Sequence, residues 1–153
     1  MLLTRPHMTA ASLAILVLIG FAGSAAAEPG DVAGTYTVTF ANVANNCHED
    51  ALKLERSRLT LETRGDDRLV ARIPGVAAMT GTERQGGQFR ADVRSGATEI
   101  EGTRARYSVA GRVRGGDIQL VFIAEYYRGD RPLCTQSWSG SGSAGASSTL
   151  PAQ

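Results

Sequence analysis

The sequence contains few of the residues that most catalytic and metal sites need. Its 153 residues include two cysteines, two histidines and one tryptophan. One histidine, His7, lies at the extreme N-terminus, so His48 alone remains for chemistry in the rest of the chain. A zinc site or a Ser-His-Asp triad would have to use His48. His48-Glu49-Asp50 could offer metal ligands from a loop, but a solvated polar loop is the expected role of these residues, and no nucleophile elbow accompanies the histidine. We therefore expect no catalytic residue, no metal, no cofactor and no enzymatic activity.

The chain also lacks a large excess of either charge. Sixteen Lys and Arg residues are balanced by 15 Asp and Glu residues, which gives a formal net charge of +1. Proteins that bind nucleic acid rely on an excess of positive charge facing the phosphates, so we expect no nucleic-acid partner. The length allows one domain, and the 42% of hydrophobic residues suffices for a packed core.

The apolar N-terminal run is too short to span a membrane. It covers residues 10–21, which is 12 residues, whereas a spanning helix needs about 20. Arg5 precedes the run and Ala25-Ala26-Ala27 follows it, in the order of a secretory signal peptide and its cleavage site. The pattern predicts a signal peptide over residues 1–27 and a periplasmic or secreted protein. An N-terminal anchor helix is the alternative.

Cys47 and Cys134 are the two cysteines of the chain. In an oxidising compartment the default expectation for such a pair is one disulfide. The bridge would close a loop of about 88 residues and, in the chain-entropy model, contribute roughly 4–5 kcal/mol. Two reduced, buried thiols are the alternative.

Apolar and polar residues alternate along most of the remaining chain. Threonines alternate with Tyr36, Val38 and Phe40, for example, and a period of two is the signature of strands with one buried face. Short Gly-rich turns separate the runs and require antiparallel pairing, because parallel strands need long crossovers. The pattern predicts eight or nine strands, at residues 34–43, 51–62, 68–74, 76–84, 88–94, 97–101, 104–114, 117–127 and 132–139.

The predicted β-domain covers residues 28–140. Residues 44–50 are the only candidate for a short helix or lid. Residues 141–153 are rich in Gly, Ser and Ala, and we expect them to form a flexible tail.

Charged residues predict how three of the strands pair. A two-residue turn at Gly115-Gly116 places Arg106 opposite Glu125, and a turn at Gly102-Thr103 places Glu99 opposite Arg106 and Glu101 opposite Arg104. Glu99, Arg106 and Glu125 would then form one row on the outer face.

The strand at 117–127 is apolar on both faces at its centre, because Val121 and Ile123 point opposite to its core residues. This pattern favours a covered outer surface or a subunit contact.

Two loop lengths are compatible with the last strand. A three-residue loop at 129–131 puts Cys134, Gln136 and Trp138 on the core face, whereas a four-residue loop puts Leu133, Thr135 and Ser137 there. We expect the first arrangement, because a tryptophan and a disulfide cysteine are usually buried.

A meander of this kind leaves two unpaired edges unless the sheet closes on itself. Gly34-Thr35-Tyr36 resembles the G-x-W that opens lipocalins and avidins, with Tyr in place of Trp, and Thr135-Gln136-Ser137-Trp138 resembles their closing strand. The lipocalin T-D-Y motif and a recognisable set of biotin-contacting aromatics are missing. The resemblance to calycin-type exported barrels implies an all-β fold, an antiparallel up-and-down meander closed or nearly closed into a barrel. A two-sheet sandwich is the alternative.

An eight-stranded barrel can be filled by side chains or can hold one small ligand. Tyrosine hydroxyls and an amide could orient a ligand in an otherwise apolar interior. The candidate ligand-binding residues are Tyr36, Tyr107, Phe122, Tyr126, Gln136 and Trp138. The sequence thus predicts a non-enzymatic exported barrel that binds a small apolar or amphipathic ligand inside. The alternative is a protein-interaction module of the cell envelope, an inhibitor or accessory protein, with a solid core.

Overall fold

The computed structural model describes residues 32–48, 52–65, 67–98 and 101–145. The predicted signal peptide, Glu99 and residues 146–153 of the predicted tail lie outside these ranges. Within them no helix is long and apolar enough to cross a membrane. The described strands are Gly34–Asn45 (β1), Arg56–Thr63 (β2), Arg68–Arg72 (β3), Met79–Arg84 (β4), Gln88–Ala97 (β5), Arg104–Arg114 (β6), Asp117–Arg128 (β7) and Arg131–Ala144 (β8).

The strands form one antiparallel ring. Each strand pairs with the next along the chain, and β1 also pairs with β8, so the sheet closes into a barrel. The predicted all-β meander is confirmed, and the two-sheet sandwich is not what forms. Closure leaves the ring without a free edge, so the described strands offer no template for an added strand.

Along most of the sheet, alternate residues of each strand point into the barrel, as the period of two predicts, and bulges interrupt this alternation in β1 and β5. The inward apolar residues form a single core cluster. Glycines stand at inward positions where the wall approaches itself most closely. A Cβ on Gly81 would collide with the backbone of Arg90, and one on Gly142 would collide with the backbone of Thr37. These glycines therefore fit a narrow barrel that larger residues would force apart.

The two ends of the barrel differ in their connections. Tight turns close one end, which also holds the start of β1 and the end of β8. The other end holds the long β1–β2 connection and the cysteine pair, and we call it the disulfide end. There Cys47 and Cys134 form the predicted disulfide, across 87 positions of sequence.

The fifth strand differs from the prediction. The ranges 88–94 and 97–101 were expected as two strands, but β5 runs unbroken through the first and into the second. Its register shifts between Val93 and Gly96, which marks a bulge. The bulge brings Gly96 against the ring of Tyr107, where a Cβ would lie 2.9 Å from Cε2.

That bulge also changes the charge pairing predicted between β5 and β6. The β6–β7 register is confirmed, with Arg106 opposite Glu125 and their side chains 3.7 Å apart. The predicted Glu101–Arg104 pairing is wrong, because Ala97 lies opposite Arg104. Glu101 lies in the connection after β5. The predicted row of three charges is therefore reduced to one pair among the described residues.

The last strand is longer than predicted. β8 continues to Ala144, so residues 141–144 of the predicted tail belong to the sheet, where Ser141 pairs with Thr39 and Ser143 with Thr37. Backbone pairing on both sides orders this glycine- and serine-rich stretch without large side chains. The core face of β8 is as expected: Gln136 and Trp138 are buried.

The loop before β8 differs from the predicted three residues. Arg128 pairs with Arg131 across a two-residue turn, and a register shift follows between Tyr126 and Tyr127. That shift places Cys134 opposite Tyr126, so that Cys134, Gln136 and Trp138 lie on the core face, as expected. Residues 44–50, the candidate for a short helix or lid, form no helix in their described part, because Ala44 and Asn45 belong to β1 and residues 46–48 are not helical.

Candidate functional site

All six predicted ligand-binding side chains point into the barrel and are buried. Their exposed fractions are 2% for Tyr36, 4% for Tyr107, 0% for Phe122, 7% for Tyr126, 3% for Gln136 and 2% for Trp138. They do not form one constellation. Tyr36 lies toward the end opposite the disulfide, where its hydroxyl donates to the backbone oxygen of Val32 at 2.9 Å.

Three of the remaining five form a row of aromatic rings on β6, β7 and β8. The ring centroids of Tyr107 and Phe122 lie 6.0 Å apart and those of Phe122 and Trp138 lie 5.5 Å apart. These separations are typical of aromatic pairs in protein cores. The three rings therefore form a continuous contact along the inner face of three adjacent strands.

The last two predicted residues take part in a cyclic hydrogen-bond network with Leu52 of the β1–β2 connection. The Leu52 backbone N–H donates to the Tyr126 hydroxyl at 3.3 Å. That hydroxyl donates to Oε1 of Gln136 at 3.3 Å. Gln136 Nε2 donates back to the Leu52 carbonyl at 3.2 Å. Two of the polar groups expected to orient a ligand thus bind the chain's own loop, and we call this network the Leu52 ring.

The same connection is held to β8 by a second set of contacts. Asn46 donates its backbone N–H to the Thr135 carbonyl at 3.2 Å, and its Oδ1 accepts the Thr135 N–H at 2.7 Å. The neighbouring Cys47–Cys134 bridge adds a covalent link. Two hydrogen bonds, the disulfide and the Leu52 ring together fix the connection over the disulfide end.

Sequence patterns did not reveal Leu52 and Asn46 as parts of this arrangement. Their contacts span 74 to 89 positions of sequence, and no local pattern reports a contact of that range. The one available signal is the cysteine pair, because a bridge at Cys47 brings its neighbours close to β8.

Burial raises the pKa of the inward tyrosines. The pKa of Tyr107 rises to about 12, mainly through burial and secondarily through Tyr126. Burial also raises the pKa of Tyr126, against the lowering effect of the Leu52 N–H. Burial, together with the charge of Glu83, raises the pKa of Tyr36. Neutral hydroxyls at ordinary pH donate and accept hydrogen bonds but do not supply a general base.

Glu83 is an acidic residue that points into the barrel, and the sequence analysis did not single it out. It is 7% exposed, and it follows Met79 and Gly81 at the spacing of inward residues on β4. The alternation already assigns it to the interior, but a carboxylate there contradicts the usual preference of acids for solvent.

A cleft of about 370 Å³ opens at the disulfide end. Gln136 and Trp138 contribute to its walls, together with His48, Lys53 and Glu55. The cleft brings the chain's candidate histidine beside two predicted ligand-binding residues. Across the described ranges, however, no three His, Cys, Asp or Glu residues are grouped so that they could hold a metal ion.

A larger groove of about 660 Å³ lies on the outer wall, across β6, β7, β8 and β1. Small outward residues form its floor, chiefly Ala41, Ala110 and Ser139, and Val121 lies at its centre. Val121 is 48% exposed, so the apolar outer face that the sequence predicts on this strand is present. Nothing in the described ranges covers it.

Fold and site define an antiparallel eight-stranded barrel with inward tyrosines and a disulfide-fastened end. Comparison with protein-family models, with curated proteins and with solved structures finds no match for this chain.

Proposed function

We propose that this chain is a non-enzymatic, exported binding protein that meets its partner with its outer surface and not with its interior. Its architecture resembles the calycin barrels, and we infer an interior filled by its own buried side chains. This choice shares the filled interior of the second of the two functions that the sequence predicts.

The Leu52 ring is the observation that carries the proposal. A ligand held inside would compete for the hydroxyl of Tyr126 and the amide of Gln136, and both already bond to the Leu52 backbone. Taking either group from the ring would leave a buried polar atom without a partner, which costs about 1–3 kcal/mol. The aromatic row of Tyr107, Phe122 and Trp138 supports the same conclusion.

Export rests on the predicted signal peptide and is compatible with the disulfide. A bridge between Cys47 and Cys134 persists in oxidising compartments and is rare where thiols are kept reduced. The absence of an enzymatic role is part of the proposal, because the titratable groups of the described interior are one acid, Glu83, and tyrosines whose pKa values are raised.

One observation favours a second candidate, a small amphipathic ligand at the barrel's mouth. Gln136 and Trp138 line the disulfide-end cleft, and barrel mouths are common ligand sites. This candidate keeps the predicted ligand class but moves the ligand out of the interior.

Site-specific photo-cross-linking in producing cells separates the two. A photoreactive residue replaces Ser139 on the outer wall in one variant and Lys53 at the cleft in another. We expect the Ser139 variant to give a defined adduct with a second molecule and the Lys53 variant to give none. Adducts from Lys53 alone would contradict an outer-surface function and favour the cleft. Native mass spectrometry of the unmodified protein should show the chain mass, and a retained small molecule that survives replacement of Ser139 would also contradict it.

A further inference from the structure

Positive charge is concentrated on the outside of the barrel wall. The eight described strands hold 13 arginines but only five acidic residues, and one of those acids, Glu83, is buried. Although the whole chain is nearly neutral, its arginines are concentrated on the strands, and other acidic residues lie in the connections between strands. A surface can attract an anionic partner when its local field is positive, whatever the net charge of the chain.

Three of these arginines are neighbours on β4, β5 and β6. Gln88 lies opposite both Arg84 and Arg112, and Arg90 follows Gln88 by two residues on the same face. Arg90 is therefore the diagonal neighbour of both other arginines, at about 7–8 Å between backbones. The ion pairs of the described residues lie elsewhere, at Glu62 and at Glu125. We call Arg84, Arg90 and Arg112 the arginine cluster.

The cluster lies at one side of the outer groove. The strand registers place Ala41, Ser139, Val121, Ala110 and Arg90 in one row across β1, β8, β7, β6 and β5. In the adjacent row, Arg112 lines the groove next to Gln119. A small, mostly apolar floor thus leads to two guanidinium groups.

The length of this row limits the length of an alkyl chain that can lie along it. From Ala41 to Ala110 there are three steps between strands, or roughly 14 Å at about 4.8 Å for each step. This length accommodates a dodecyl chain. The small floor residues leave the groove open, and the long side chains of Arg112 and Gln119 border it.

We propose that this groove binds an anionic amphiphile of the lipid type, with its alkyl chain along Ala41, Val121 and Ala110 and its anionic oxygens on Arg90 and Arg112. This inference rests on the proposed function, because it assigns binding by the outer surface to the outer groove. Guanidinium groups suit phosphate or carboxylate oxygens, because they offer paired donors and a permanent charge. Apolar contact with the floor supplies the second part of the recognition.

The test is a titration of the mature, disulfide-bonded protein with dodecyl phosphate below its micellar concentration, followed by backbone amide NMR. We expect saturable shifts at Ala110, Val121 and Ser139. Arg90→Gln and Arg112→Gln should each weaken binding about tenfold, which is the effect of about 1.4 kcal/mol. The matched control is Arg94→Gln, an exposed arginine of the same β5 strand, and it should leave the affinity unchanged.

Two further probes separate head group from tail. Inorganic phosphate and dodecyl maltoside should each bind far more weakly than dodecyl phosphate, because each supplies only half of the recognition. Equal binding of inorganic phosphate would mean a simple anion site, and equal binding of dodecyl maltoside would mean an apolar surface without head-group recognition. Either result overturns the proposal, as do unchanged affinities of the two arginine variants or occupation of the groove by a second copy of the chain.

The result also distinguishes this inference from the proposed function. If dodecyl phosphate does not bind while Ser139 still cross-links to a partner in cells, the ligand class is wrong and the outer-surface function stands. If dodecyl phosphate binds but shifts the side-chain ring resonances of the inward Tyr107 and Phe122 and leaves the amides of Ala110 and Ser139 unchanged, the outer-surface function itself is wrong.

Discussion

Replacement of Tyr126 by Phe tests the Leu52 ring most sharply, because it removes the hydroxyl oxygen from the hydrogen-bond network and keeps the aromatic side chain. That oxygen accepts the Leu52 N–H and donates to Gln136, both at 3.3 Å. Each lost hydrogen bond is worth about 0.5–1.5 kcal/mol, and an orphaned acceptor on buried Gln136 costs more. We expect Tyr126→Phe to lower the free energy of unfolding by about 2–3 kcal/mol.

Chemical denaturation measures this loss, and hydrogen exchange at the Leu52 amide localises it. Tyr127→Phe is the matched control, because Tyr127 packs outside the wall beside Arg106, and we expect it to change stability by less than about 0.5 kcal/mol. A double-mutant cycle with Gln136→Met should give a coupling energy of about 0.5–2 kcal/mol.

The reasoning is refuted if Tyr126→Phe is no more destabilising than Tyr127→Phe and leaves exchange at Leu52 unchanged. A hydroxyl reserved for a ligand would give that outcome, since its removal would weaken ligand binding without affecting the empty protein.

Three further predictions concern the disulfide, the close approach of the wall at Gly142 and the buried Tyr107. Replacing Cys47 and Cys134 by Ser should lower the free energy of unfolding in chemical denaturation by roughly 4–5 kcal/mol, because the unfolded chain is no longer closed into a loop by two cysteines 87 positions apart. A loss below about 1 kcal/mol would contradict the entropic argument. Gly142→Ala should destabilise by about 1–3 kcal/mol in thermal unfolding, whereas Gly145→Ala, where the nearest atom to a new Cβ is 3.7 Å away, should be neutral; equal effects would mean that the wall is not tight at Gly142. Tyr107 has a raised pKa of about 12, so the neutral side chain contributes stability that is complete below pH 10 and is lost as the pH rises to about 12. That loss is at most about 2–3 kcal/mol, and an alkaline denaturation series should show a loss smaller by this amount in Tyr107→Phe than in the native protein, because Tyr36 and Tyr126 remain.

The sequence could predict the barrel because each strand reports its own buried face. Tyr36, Val38 and Phe40 alternate with threonines, and Gly115-Gly116 fixes the β6–β7 register through the parity of its neighbours. Closure follows from the number of strands and from the instability of free edges. These signals are local, and local signals survive in a single sequence.

The parts that could not be predicted depend on contacts between distant residues or on a change of parity. The bulge between Val93 and Gly96 breaks the alternation, so one strand reads as two. The six candidate ligand residues were correctly assigned to the interior by alternation. Whether Tyr126 bonds to a ligand or to Leu52 is decided by a connection 74 positions away, and alternation carries no information about it.

The outer groove shows the same division. Exposure of Val121 follows from its parity on β7. The row from Ala41 to Arg90, however, depends on four separate strand registers. An error of one residue in any of them would move the arginine to the opposite face or out of the row.

The central claim is that the barrel's own side chains fill its interior, and xenon binding measures this most directly. Xenon enters empty apolar cavities, and methyl NMR would report it at the inward residues Leu59, Val109 and Ile118. We expect no saturable shift in the native protein and a saturable shift in Phe122→Ala, which opens a cavity at the centre of the aromatic row. A saturable shift of those methyls in the native protein would mean that the barrel is hollow and that the ligand site belongs inside.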